Sequence, residues 1–108
     1  MPGAKEIIEV KVAKKLKERP DLGKGIGVAV AIDLKGEGGG RWVIDMTKEP
    51  ATVSADSTAP VATTISMEAG IFEKMANGEM DPQTAFLTGK VKVDGNLGVA
   101  IKLGQLFS

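Results

Sequence analysis

One short segment stops a helix, starts another, and then turns into a strand. In GEMDPQTAFLTGKVKVDGN, Gly78 to Asn96, Asn77-Gly78 ends a helix, because glycine readily takes the left-handed conformation at a C-cap. Asp81 caps the next helix and Pro82 fits its first position, where no backbone N–H is needed. Ala85, Phe86 and Leu87 supply that helix's apolar face. Gly89 ends it. Thr88, Lys90, Lys92 and Asp94 then alternate with Gly89, Val91 and Val93, the pattern of a half-exposed strand. Asp94-Gly95 turns the chain and Asn96 caps a last helix. A chain punctuated in this way mixes short helices with strands.

The rest of the chain follows the same logic. Ile8, Val12 and Leu16 recur every four residues, and basic residues crowd the end of that stretch before Pro20, so residues 4–18 read as a helix closed by Pro20. The run Ile8-Glu9-Val10-Lys11-Val12 also alternates as a strand would; the lysines and Pro20 favour the helix. From Ile26 the period becomes two, with Ile26, Val28, Val30, Ile32 and Leu34 on one face and the small Gly27, Ala29 and Ala31 on the other, which another element could approach closely. GEGGG, Gly36 to Gly40, joins this strand to a second one carrying Trp42, Ile44 and Met46, a hairpin. Strands over Ala51–Ala55 and Val61–Ser66 flank the turn-rich DSTAP. Ser66 is then placed to cap a helix with Glu68 in its first turn and Met67, Ile71, Phe72 and Met75 on one face.

The last helix is unusual. Between Leu97 and Phe107 seven of eleven positions are apolar. A terminal helix of a small domain normally shows water a polar face. This one is expected to be buried on several sides, or to cover something greasy that is not part of the chain.

Composition narrows the chemistry. The 108 residues are expected to form one domain. Lys+Arg and Asp+Glu both number 14, which argues against a nucleic-acid binder that works by neutralising phosphates. No cysteine is present, so there is no disulfide framework or thiolate nucleophile, and no histidine, so the commonest general base and metal ligand are missing. Ser54, Ser57, Ser66 and Ser108 have no histidine to activate them, Glu79 with Asp81 reads as a solvated turn and an N-cap, and GEGGG feeds a strand through Arg41-Trp42 where a P-loop would feed a helix. No enzyme, cofactor or metal site is expected. No uncharged apolar leader opens the chain and no apolar run reaches the length of a membrane span, so a cytoplasmic protein is expected. The cluster Lys11, Lys14, Lys15, Lys17 and Arg19 reads as a solvated helix face, or as a weak docking surface for anionic membranes.

Three stretches carry a family likeness: RWVIDM at Arg41 to Met46, ATTISM at Ala62 to Met67, and above all NGEMDPQTAFLTGKVKVDGN with the following AIKLGQL. With these, in this order and spacing, the chain resembles the sterol-carrier-protein type 2, or non-specific lipid-transfer, domain family. The resemblance implies an α+β fold: a mixed five-stranded sheet with helices covering one face and an apolar tunnel between them. It implies non-catalytic binding, with intermembrane transfer, of fatty acids, fatty acyl derivatives or sterols. By that likeness the lipid-binding residues are Trp42, Ile44, Ile71, Phe72, Met75, Met80, Phe86, Leu87, Leu97, Ala100, Ile101 and Leu103. Peroxisomal members end in a Ser-Lys-Leu-like tripeptide; this chain ends Leu106-Phe107-Ser108, so a peroxisomal address is not expected.

Two other readings stay open: a structural or dimerisation module, and an accessory protein that presents a lipid to a separate enzyme. The chain is expected to be free-standing, as a monomer or homodimer. An Ile101→Asp substitution is expected to abolish lipid uptake, and to cost stability if that position is buried.

Overall fold

The computed structural model describes residues 3–55 and 58–104. The opening helix forms as the apolar spacing predicts, in three continuous stretches: α1 (Ala4–Glu6), a π-helical segment (Ile7–Val12) and α2 (Ala13–Glu18). Its buried stripe is Ala4, Ile7, Ile8, Val12 and Leu16. Burying each of the larger side chains is worth roughly 1.5–3 kcal/mol, enough to decide for a helix over the competing strand.

Pro20 does more than end this helix. Arg19 leaves helical geometry, and Pro20 becomes the first residue of α3 (Pro20–Ile26), which the sequence pattern did not reveal. Proline suits that position because its missing N–H has no partner to lose. The glycines inside α3 hide it from propensity, yet Gly23 is buried, with Leu16, Met46 and Ala51 around it. Gly27 closes α3 in the left-handed conformation. The strand expected from Ile26 therefore begins later, as β1 (Ala29–Lys35); Ile26 belongs to the helix.

The sheet has five strands: β1, β2 (Gly40–Asp45), β3 (Thr52–Ala55), β4 (Thr63–Glu68) and β5 (Val91–Asp94), in the order β3-β2-β1-β4-β5. β1 pairs antiparallel with β2 across the glycine-rich turn, and parallel with β4; β2–β3 and β4–β5 are antiparallel. The sheet is mixed, as the family likeness implied. The turn explains one of its glycines. A Cβ on Gly39 would lie 2.2 Å from the Leu34 carbonyl oxygen and 2.9 Å from that of Gly36. Gly39→Ala must therefore rebuild the hairpin, at a cost on the order of 1–3 kcal/mol; a thermal midpoint equal to that of the parent protein would contradict this close approach.

Register assigns the two faces. Val30, Ile32 and Leu34 of β1 share one face with Trp42 and Ile44 of β2, and with Ile65 and Met67 of β4. These residues join the opening helix, Phe72, Met75, Ala85, Val91 and Leu103 in one core cluster. The opposite face carries Asp33, Lys35, Arg41, Asp45, Ser66 and Lys92. Ala31 and Val43 are buried at its centre and lie outside that cluster. The small side chains of that face therefore do not receive the helices, which gather on the larger aliphatic side. Nearby, the Asp45 carboxyl is held below the usual carboxylate range by hydrogen bonds from the Thr47 side chain and backbone.

Three helices follow. α4 (Ala69–Ala76) starts directly after β4. Ser66 is not its cap: the parallel ladder with β1 continues to Lys35↔Glu68, so Ser66 remains strand, and Glu68 occupies the cap without a side-chain hydrogen bond. α5 (Pro82–Leu87) is capped as predicted, the Asp81 carboxylate accepting from the Thr84 N–H. Thr88 closes α5 rather than opening a strand, its hydroxyl donating to the Thr84 carbonyl oxygen at 2.8 Å. α6 (Leu97–Leu103) is capped by Asn96, which accepts from the Val99 N–H. Residues 105–108, including the predicted end of this helix, lie outside the described residues. Among the described residues no helix is long and apolar enough to cross a membrane.

Candidate functional site

The expected lining residues divide into two sets, and only one of them lies in the apolar layer between sheet and helices. Trp42 and Ile44 lie on the helix-facing side of β2, opposite Ile32 and Val30 of β1. Phe72 and Met75, one turn apart on α4, which packs on β1 and β4, are buried in the same core cluster, and Leu103 comes in from the end of α6. Ile71, Met80 and Ala100 are partly buried around this inner set.

The outer set faces water. Phe86 is 36% exposed, Leu97 43%, Ile101 69% and Leu87 74%. On α5 it is Ala85 that enters the core; Phe86 and Leu87 do not. On α6, Leu97 and Ile101 are four residues apart and so share one outward stripe, while Leu103 points inward. The two helices are neighbours, since a Cβ on Gly104 would lie 3.8 Å from the Pro82 ring. The apolarity of α6 on nearly every side thus has two causes. One side completes the core; another presents large aliphatic groups that the described residues leave exposed.

One anchor was not foreseen. The indole N–H of Trp42 donates to the Glu9 carboxylate at 2.9 Å, joining the π-helical segment to β2. A buried indole usually finds an acceptor for its N–H, which marks Trp42 as needing one. Its spacing from Glu9 in the chain gives no hint of which. π-helical turns are uncommon and recur at functional sites, and here the segment carries both the buried Ile7, Ile8 and Val12 and the acceptor for Trp42.

Two clefts open at the margins of the layer. The larger, of about 350 Å³, lies at the carboxyl ends of β1 and β4 and is lined by Lys35, Ser66, Met67, Glu68, Ile71, Gly89, Lys90 and Lys92. The smaller, of about 220 Å³, lies between α3 and α6 and includes Leu22, Ile26 and Lys102. The Lys102 ammonium donates to the Gly25 carbonyl oxygen at 3.4 Å. Among the described residues no group of three Asp or Glu side chains converges as a metal site would require. The chemistry this arrangement offers is apolar contact, with charge only at the margins.

A mixed sheet with one helix-covered apolar face, closed by short capped helices, defines an α+β domain of the sterol-carrier type. The chain belongs to the SCP-2 sterol transfer family, whose model matches residues 6–108. Among its relatives, sterol carrier protein 2 of Gallus gallus is 36% identical over 99 residues, covering 88% of this chain and 18% of the relative. Hydroxysteroid dehydrogenase-like protein 2 of Bos taurus is 33% identical over 89 residues, covering 82% of this chain and 21% of the relative. The chain thus spans about a fifth of the length of the curated relatives it matches. Two solved structures share the fold. Sterol carrier protein 2 from Yarrowia lipolytica, in its apo form, matches with a TM-score of 0.76 and 20% identity over 94% of this chain and 84% of that one. The sterol carrier protein 2 of Aedes aegypti, in complex with the C16 fatty acid palmitate, matches with a TM-score of 0.78 and 20% identity over 100% of this chain and 97% of that one.

Proposed function

We propose that this protein binds single-chain and related lipids without catalysing their chemistry, and carries them between membranes. The observation that carries this reading is the outward stripe of Leu97 and Ile101, beside an apolar layer that already holds Phe72, Met75 and Leu103. Exposed aliphatic side chains continuous with a core are a surface that lacks its cover. A lipid tail supplies one, covering the outward stripe as it enters the apolar tunnel between sheet and helices that the family likeness implies. Each methylene removed from water contributes about 0.8 kcal/mol, so a dozen contribute about 10 kcal/mol before the cost of association. Tight binding then needs no polar recognition group. The palmitate held by the Aedes aegypti relative supports the choice of ligand class.

Delivery requires a membrane encounter. Lys11, Lys14 and Lys17 are exposed on the opening helix and Lys15 is half-exposed, which suits docking on an anionic surface. Each basic residue near such a surface contributes about 1 kcal/mol. The test of the carrier reading is direct. Delipidated protein titrated with a fluorescent fatty acid takes up one equivalent saturably. Absence of uptake by protein whose circular dichroism is intact would overturn it.

The outward stripe also favours a second reading, a dimer in which α5 and α6 of two copies cover each other. Sedimentation and native mass spectrometry separate the two: a tight dimer with no co-purified lipid supports the dimer, a lipid-loaded monomer the carrier. The hydroxysteroid dehydrogenase-like relatives, which are about five times longer than their matched segment, support a further role for the bound lipid, presentation to a separate enzyme.

A further inference from the structure

We propose that the cleft at the carboxyl ends of β1 and β4 holds the anionic head of a single-chain lipid, a carboxylate or phosphate ester, with the first methylenes laid on Met67 and Ile71. The inference rests on the carrier reading and assigns its head-group end. Three lysines reach the cleft from separate segments: Lys35 ends β1, Lys90 precedes β5 and Lys92 lies within it. The one acidic residue lining it is Glu68, which pairs in register with Lys35. The lining therefore carries a surplus of two positive charges in a chain whose net charge is zero. None of the ion pairs Lys14–Glu18, Arg19–Asp21, Lys24–Glu49 and Lys48–Asp45 involves these lysines or Glu68.

A plain structural reason does not cover the cluster. Edge strands carry lysines to discourage pairing with other chains, and β5 is an edge strand. β1 is the central strand, so Lys35 protects no edge. The cleft's size falls at the lower end of the range of small-ligand sites.

The floor decides the class of ligand. Exposed ammonium groups are well hydrated and hold an anion weakly on their own. Met67 is buried and Ile71 half-buried, and both belong to or pack against the core cluster. An anion that brings an alkyl stem gains from covering what is still exposed of Ile71, beside the small part of Met67 that reaches the cleft; a free anion gains only from the rim. Ile71 is also one of the expected lining residues of the lipid layer and packs against its core, so cleft and layer share a side chain.

Binding of dodecanoate and of dodecanol to the whole chain tests this. Dodecanoate is expected to bind about tenfold more tightly than dodecanol. In the triple variant Lys35→Gln, Lys90→Gln, Lys92→Gln that preference should fall to about twofold or less, with dodecanol affinity unchanged. In the parent protein, dodecanoate should also shift the methyl resonances of Met67 and Ile71, a readout that does not depend on any variant. Equal affinities for the two ligands in the parent, or a preference that survives the triple substitution, overturn the head-group assignment while leaving the carrier reading standing. Binding of neither ligand removes the carrier reading and this inference with it. Inorganic phosphate or acetate matching dodecanoate in affinity would show a simple anion site, and overturns the lipid assignment.

Discussion

Phe72→Ala is expected to lower stability by about 3–5 kcal/mol, the range for removing a large aromatic ring from a packed core. Phe72 is fully buried on α4, against the helix-facing side of the sheet. Domains of this size are typically stable by only about 5–15 kcal/mol, so one ring accounts for much of the total. Each kcal/mol is worth roughly 4–8 °C in the thermal midpoint of a domain near this length. Urea unfolding should show a lowered midpoint with an unchanged slope, since the surface exposed on unfolding is nearly the same. A midpoint within a few degrees of the parent would mean that the layer between α4 and the sheet closes over the loss.

Ile101→Asp separates ligand contact from folding. Were Ile101 in the core, a charge there would cost both stability and uptake. With 69% of its surface exposed, the substitution should change stability by no more than about 0.5 kcal/mol. Uptake of a fatty acid should nonetheless fall by about 10- to 100-fold. That is the value of an isoleucine side chain that becomes covered only when ligand is bound, roughly 1.5–3 kcal/mol. Paired measurements of the urea midpoint and fatty-acid affinity check this. Unchanged affinity would confine the lipid to the inner residues around Phe72; a collapsed midpoint would place Ile101 in the core after all.

The sequence was most legible where a residue acts on its immediate neighbours. Asp81 with Pro82 and Asn96 act within one helical turn, and both caps form as read. The alternation from Val30 to Leu34 needs only the pleat, and those residues face the core. Reading failed where a distant partner decides. Ser66 has the chemistry of a cap, but the parallel ladder from β1 keeps it in a strand. Pro20 reads equally as an end and a beginning, and the glycines of α3 give no helical periodicity to tell the two apart.

The candidate site follows the same division. The inner residues Trp42, Ile44, Phe72, Met75 and Leu103 sit together because apolar periodicity on each element points inward. Periodicity does not tell that Leu87 and Ile101 point outward, since an element apolar on every side offers no polar face to mark the water. Nor does it show that Lys35 and Lys92 line one cleft. They share it because β4 joins β1 to β5, with Ser66 opposite Lys92 and Glu68 opposite Lys35. Composition had counted their charges as cancelled across the chain; the sheet gathers them at one end.

The hydrogen bond from Trp42 to Glu9 has an optical consequence. Trp42 is the chain's single indole and there is no tyrosine, so emission excited in the near ultraviolet comes almost wholly from one ring. That ring is tethered to the first helix at one end and set in the sheet at the other. The molecule therefore carries its own gauge of whether those two layers are seated together, readable in dilute solution without a label.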